Sequence, residues 1–432
     1  MSRRRNAASG REGRTGGDAG RTREARIVVT GIGAVSPWGW DGAALWAGLA
    51  GGRTAVAPAR RLDVSGQRTR VAGEVPEPPP GLPASIPGWS RLTAADRFSV
   101  CAAQEAVCQA RVDAAGPGTG VFFAGSTAGM AEGERWLACR RQGRRASIRP
   151  LASHALNNPG DAVARSLGVQ GRVLTISSAC SSAALAIAAG FDALRRGEVD
   201  VAVTGAADSL CLLTYAGFNS LRAVDPRPCR PFRRDREGLS LGEGAGVLVL
   251  EREESARRRG ARPLATLLAY GASCDAHHMT APHPEGTGAA SALSTALARA
   301  GVAVERVSHY NAHGTGTPLN DLSEWKGLAA VLGRRAGEIP VSAVKESVGH
   351  LLGASGAIEA VATVLALTHR AAPPTADDGA VDPETPVDLV RRQPRELPDD
   401  AVALSASFAF GGANAVLVLG ACLADRLRRA PS

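Results

Sequence analysis

The chain has 432 residues, 44% of them hydrophobic, and a formal charge of +9. That length exceeds one simple core and calls for two halves or domains. No run of 18 purely apolar residues occurs, and the best stretch, Leu351 to Thr368, contains Glu359, so no membrane span is expected; no basic–aromatic interleaving occurs outside the first residues, which argues against nucleic-acid binding.

Residues 1–25 carry seven Arg against Glu12, Asp18 and Glu24, with no apolar period. They read as a disordered Arg-rich tail without the apolar core of a secretory signal. Arg26-Ile-Val-Val-Thr-Gly-Ile-Gly then reads as a buried strand ending in a turn. A Pro-rich linker follows at Pro76 to Pro83, and residues 94–111 have helical periodicity. Strands are expected at Gly120 to Ala124, at Arg172 to Ile176 and at Asp200 to Thr204, the second running into Ser-Ser-Ala-Cys-Ser-Ser and an Ala-rich helix. The pattern restarts with strands at Gly246 to Glu251 and Leu264 to Tyr270 and a helix over 287–301. Val307 to Ala312 and Ile339 to Ala343 read as strands, 350–369 as a long helix, and Val402 to Phe408 and Ala415 to Leu419 as closing strands.

Strand–helix alternation places the chain in the α/β class, with parallel sheets covered by helices. The rhythm divides it into an N-terminal half, 26–255, a C-terminal half, 256–421, and a tail, 422–432. In such sheets the site lies at the carboxyl ends of strands, and Cys180, His313, Lys345 with His350, and Phe410 all fall there. Eight scattered Cys without a CxxC pair argue against zinc and for free thiols in a reducing cytoplasm. The modest excess of basic charge suits a small acidic protein partner.

Cys180 follows a strand and opens a helix, where the positive end of the dipole favours the thiolate; a buried structural cysteine is the plain alternative. In Asn311-Ala-His-Gly-Thr-Gly-Thr-Pro-Leu-Asn-Asp321, two glycines permit unusual backbone angles and the hydroxyls of Thr315 and Thr317 can hold a polar ligand arm. A phosphate loop is the rival reading, although the spacing lacks the GxxxxGK[ST] form. His350 begins a helix with little side-chain bulk. Lys345, five residues before it, is a cation that would keep His350 neutral, and Glu359 can offset that charge. Ser405-Ala-Ser-Phe-Ala-Phe-Gly-Gly-Ala-Asn414 is a strand entering a Gly-Gly turn, which can present backbone N–H groups to an oxyanion.

Together, in this order and spacing, these motifs resemble the β-ketoacyl synthase family of the thiolase superfamily, from Arg26 to Gly420. Cys229-Arg-Pro-Phe, Gly238-Leu-Ser-Leu-Gly-Glu-Gly-Ala-Gly246 and Asp275-Ala-His-His-Met-Thr-Ala-Pro-His-Pro-Glu-Gly286 extend the match, and Gly125-Ser-Thr-Ala-Gly-Met130 leans toward the type II polyketide and polyene enzymes. The resemblance implies a thiolase-like α/β fold: two similar halves in a five-layered α-β-α-β-α core. It implies a synthase that joins an acyl group on Cys180 to malonyl carried on the phosphopantetheine of an acyl carrier protein, with no cofactor or metal of its own. It also implies a homodimer, or a heterodimer with a related chain.

By the same resemblance His313 and His350 bind the malonyl thioester oxygen, Lys345 supports that pair and Glu359 is its partner. Backbone N–H groups of Cys180 and Phe410 form the oxyanion hole, Phe408 and Phe410 the gate, and Thr315 and Thr317 contact the phosphopantetheine arm. Two departures stand out. Arg233 replaces a frequent Asp, which puts local salt bridging in doubt. Ala128 replaces a bulkier gate residue and, beside flexible Met130, leaves an acyl pocket roomy enough for a long or rigid chain. A non-catalytic chain-length partner would lack the cysteine, an initiating synthase generally carries Asn in place of His350, and a thiolase needs a second catalytic cysteine.

Overall fold

The computed structural model describes residues 25–376 and 379–422; the expected tails at 1–25 and 422–432 fall, border residues aside, outside them. Ten strands build the main sheet: β1 (Ile27–Val35), β2 (Thr119–Ala124), β3 (Val173–Ile176), β4 (Val201–Asp208) and β5 (Gly244–Arg252) in the first half, then β6 (Ala265–Cys274), β7 (Val307–Asn311), β8 (Pro340–Ser342), β9 (Val402–Phe408) and β10 (Ala413–Ala421) in the second. Their spatial order is β3-β2-β4-β5-β1 followed by β6-β10-β9-β7-β8, with a short edge strand, Asp388–Leu389, outside β8. Counted within its own half, each set of five runs 3-2-4-5-1, so the chain repeats one topology twice without repeating its letters. The two sets meet where Ile27 to Val29 pairs antiparallel with Ala265 to Leu267.

The expected parallel sheets are only half present. β2 pairs parallel with β3 and β4, and β7 with β8 and β9. The last strand of each half returns antiparallel: β5 between β4 and β1, and β10 between β9 and β6. The outer strands are linked by helical crossovers, which demand parallel pairing, whereas β9 and β10 are joined by a short hairpin, which demands the reverse.

Nine helices matter to the argument: α1 (Ala94–Ala110), α2 (Met130–Arg141), α3 (Asn158–Leu167), α4 (Ser182–Arg195), α5 (Leu212–Ser220), α6 (Thr287–Ala300), α7 (Pro318–Leu332), α8 (Val344–Val348) and α9 (Ser355–His369). α1 and α3 cover the outer face of the first five strands, α6 with α7 packed against it that of the second five, and α4 with α9 fill the space between the two sets. This is the five-layered thiolase-like arrangement. The middle layer explains the composition: every residue from Ser355 to Leu367 is buried, and most of α4 is too. The apolar Leu352–His369 stretch is therefore the central core helix, whose Ala and Gly let the two sets of strands close on it.

The Thr93 side chain and Asp96 form a reciprocal capping box at the start of α1, which is why its periodicity reads so clearly. α7 escaped the sequence reading although Pro318 stands at its first position, a helix-start signal. The 350–369 helix is shorter than expected: it starts at Ser355 after a 3-10 turn at Leu352–Ala354, leaving His350 outside it.

Candidate active site

The turn from β3 into α4 has no room to relax. Ala179 sits at φ 45, a left-handed conformation rare for a residue with a side chain, and Ser182 Oγ locks it by accepting from Ser178 N (2.6 Å) and donating to Ala179 O (2.6 Å). This presents Cys180 two residues before the helix proper. Its thiol lies against the backbone N–H groups of Phe410 and of Cys180 itself, yet burial outweighs them and pushes the thiol up to about 11. The expected gain from the helix terminus is thus smaller than the desolvation cost.

His313 leaves the end of β7. Glu324, on α7, accepts from the backbone N–H groups of His313 (2.7 Å) and Gly314 (2.8 Å) and so fixes the turn. Gly314 and Gly316 take φ values of 42 and 78, as expected of that loop. Lys345, on α8, is 1% exposed. Its Nζ donates to His313 Nδ1 (3.1 Å), to His313 O (2.6 Å) and to Glu359, which uses all three ammonium hydrogens. Lys345 therefore contacts His313 directly and acts on His350, its nearer neighbour in sequence, through its charge. Burial lifts Glu359 to about 7 against the pull of Lys345.

His350 lies one bridge from Leu241, with His350 N donating to Ser240 O (2.7 Å). Its Nε2 is 3.1 Å from Cys180 Sγ. The His313 and His350 rings meet edge to face with centroids 5.6 Å apart. The Cys180 sulfur and one nitrogen of each ring lie within 4.8 Å of one another. Burial first, and then the Lys345 ammonium, holds both imidazoles well below their ordinary range; both are neutral at physiological pH. Spacing alone would also suit a metal, but the fixed ammonium on His313 opposes a second cation.

A cleft leads from the surface to these three groups. Thr315 and Thr317 line it, with hydroxyls 2.9 Å apart, and so do Phe408 and Phe410. Phe408 meets His313 edge to face, and Phe410 stacks on Phe218 of α5 at 5.7 Å between centroids, a partner that sequence reading missed because nothing local marks a contact so distant along the chain. Ala128 and Met130 do not line this cleft. Ala128 is fully buried in the loop after β2, and Met130 Sδ lies 3.4 Å from Cys211 Sγ. Asp208, also missed, anchors that loop: it accepts from Ser126 N (2.8 Å), Thr127 N (2.7 Å) and Gly353 N (2.8 Å). A side chain on Gly353 would collide with Ser126, its Cβ falling 2.4 Å from the hydroxyl. The loop after β2 is thereby tied to the turn after His350. Salt bridging around Arg233 is present: Arg230 binds Asp225 (2.6 Å) and Asp235 (2.6 Å), and Arg236 binds Asp382 (2.5 Å).

A duplicated five-layered fold with a cysteine and two histidines at strand ends defines a thiolase-like condensing enzyme. Comparison with known proteins narrows this. The chain matches the family models for the N-terminal domain of β-ketoacyl synthase over residues 24–256 and for the C-terminal domain over 264–377. It is 38% identical over 404 residues to 3-oxoacyl-[acyl-carrier-protein] synthase 2 of Synechocystis sp., covering 91% of this chain and 97% of that protein. Among solved structures, the ishigamide ketosynthase/chain length factor superposes with a TM-score of 0.86 at 35% identity, over 92% of this chain and 100% of the other. A type II polyketide ketosynthase bound to a hexaketide, in complex with its acyl carrier protein, gives 0.84 at 28% identity, over 93% and 100%. The chain belongs to the β-ketoacyl synthase family and is a ketosynthase, an acyltransferase of fatty-acid or polyketide synthesis.

Proposed function

We propose that this chain condenses an acyl group held on Cys180 with malonyl carried on an acyl carrier protein, in a type II polyketide or polyene pathway. The observation that carries the reading is the convergence of Cys180, His313 and His350 within 4.8 Å at the foot of a cleft lined by Thr315 and Thr317. The Cys180 thiol gives up its proton as its sulfur attacks the acyl thioester, and that proton leaves on the carrier thiol. Malonyl thioester then loses CO2, and its electron pair becomes an enolate whose oxygen takes hydrogen bonds from the two histidines. The enolate carbon attacks the acyl carbonyl, whose oxygen faces the N–H groups of Cys180 and Phe410, and the Cys180 sulfur is expelled. Lys345 and Glu359 hold the first histidine in place. One well-placed oxyanion donor is worth roughly 3–4 kcal/mol.

The acyl chain would run past His350 toward Ala128 and Met130; the tie between the Ser126–Ala128 loop and Gly353 supports this direction. The substrates arrive on phosphopantetheine, and the enzyme needs no cofactor of its own. A dimer with a related chain in the cytoplasm completes the reading, supported by the solved ketosynthase/chain length factor relative and by the exposed Leu213, Ile148 and Val173. A housekeeping elongation synthase is the second reading, favoured by the Synechocystis relative. Intact-mass measurement after mixing the protein with several acyl carrier protein thioesters separates the two. Capture of polyunsaturated or polyketide acyl groups is expected, and preference for saturated chains supports elongation. If no acyl carrier protein thioester labels Cys180, the proposal fails.

A further inference from the structure

Two donors converge on one nitrogen of His350. The backbone N–H of Leu352 lies 3.0 Å from Nδ1, and the hydroxyl of Ser355, the first residue of α9, lies 2.8 Å from the same atom. A backbone N–H can only donate, so Nδ1 carries a lone pair and no hydrogen. The Ser355 hydroxyl must then donate as well. The ring hydrogen sits on Nε2, which faces Cys180 Sγ at 3.1 Å. Ser355 is 1% exposed, so its hydroxyl is shielded from bulk solvent. Leu352 itself takes a strained φ of 54, and Asp208 fixes the next residue through Gly353 N. The turn is built to hold both donors on this nitrogen.

We infer that Ser355 is a positioning residue that, beside the Leu352 N–H that fixes the tautomer, strengthens the His350 Nε2–H donor for the enolate. A neutral imidazole has one in-plane lone pair. Sharing it between two donors withdraws electron density from the ring, makes Nδ1 a poorer base and makes the Nε2–H a stronger donor. In the Nε2–H form His350 cannot take the thiol proton from Cys180 directly; it donates toward sulfur or oxygen. His313 reaches the same tautomer by another route, through Lys345 on its Nδ1. The two rings are thus matched donors held by unlike partners. Nothing in the letters marks Ser355 as more than another small residue beside Gly353 and Gly356; only the fold brings it back onto the histidine.

This inference rests on the condensing role proposed above, so its test has one readout that needs no substrate. The first measurement is the 15N spectrum of the full-length protein with labelled histidine. The wild type should show His350 with a bare, hydrogen-bonded Nδ1 and a protonated Nε2. In Ser355→Ala, the smallest change available, the Nδ1 signal should move downfield toward that of a free lone pair. Ser355→Thr, which keeps the hydroxyl, should restore it. The second measurement is CO2 release from malonyl carrier protein, expected to fall about tenfold in Ser355→Ala while acyl capture on Cys180 stays within about twofold, with recovery in Ser355→Thr. A His350 protonated on Nδ1, or a Ser355→Ala spectrum identical to wild type, overturns the inference. So does a changed spectrum with CO2 release unaltered. Wild-type protein that releases no CO2 from malonyl carrier protein at all refutes the condensing role instead, and the spectrum still decides whether Ser355 fixes the ring.

Discussion

In the first half of the molecule the third strand, β3, passes through Ser177 to Ser181 into α4; in the second half the third strand, β8, passes through α8 and His350 into α9. These are the same place in the duplicated topology, and both helices begin on a buried serine. The first connection is short and held by backbone geometry, with Ala179 left-handed and Ser182 closing its own turn. The second is long enough to insert α8, and buried side chains hold it: Lys345 on Glu359, and Ser355 on His350. The difference follows from what each must present. A sulfur needs only a position, which a strained tight turn supplies. A neutral ring, His350, needs position and tautomer, which hydrogen-bonding partners on its ring nitrogen supply.

The largest effect tests the first turn. Cys180→Ala should abolish acyl capture and condensation while leaving the second turn able to release CO2 from malonyl carrier protein. Any acyl mass retained on the variant would show that the short turn does not present the nucleophile. The next tests the second turn together with the His313 loop, which Lys345 of that turn supports. His313→Ala or His350→Ala should lower CO2 release by about 100-fold or more, the loss of one oxyanion donor, with acyl capture far less affected. Equal loss of both activities would dissolve the division of labour between the two connections.

Stability should break the comparison at its charged end. Lys345→Met strands Glu359, which is fully buried, and removing one partner of a buried pair costs about 3–5 kcal/mol. The urea midpoint should fall accordingly. Lys345→Met combined with Glu359→Leu should recover much of that stability, because no buried charge is left alone, yet CO2 release should stay low because His313 has lost its donor. A Lys345→Met protein as stable as the parent would mean that this ion pair does not hold the second connection.

The first connection was far more legible in sequence than the second. A strand, a Ser-rich turn with Cys180 and an Ala-rich helix are contiguous, and the motif carries its own geometry. His313 and the Gly-Thr loop read well for the same reason. The second connection depends on contacts between separated segments. Lys345 stands five residues from His350, and proximity in sequence suggested that it served that ring. The fold turns it toward His313, and α8 sets that direction. The burial of Cys180, which reverses the expected preference for thiolate, comes from the whole middle layer and is written in no local motif. Asp208 was visible only as the end of a Gly-Ala-Ala-Asp strand terminus; its role emerges when the loop after β2 and Gly353 meet over it.

The smallest effect concerns the loop after β2, the N-terminal counterpart of the His313 loop after β7. Its Ala128 has φ 43 and is fully buried. A β-branched residue there would strain the backbone and blur any effect on the pocket, so leucine is the better probe of volume. Asp208 holds the neighbouring amides, so the loop cannot swing outward to absorb the added carbons. Ala128→Leu should therefore fill space beyond His350 while leaving Cys180, His313 and His350 in place. Capture of long acyl chains should fall several-fold relative to short ones, with short-chain capture unchanged. Ala128→Gly, which suits the positive φ, should keep or raise the long-chain share. Intact-mass competition between long and short acyl carrier proteins reads the ratio directly. If leucine and glycine both give the parent's ratio, the acyl chain does not pass this loop, and the two loops after the second strands share a topology without sharing the site.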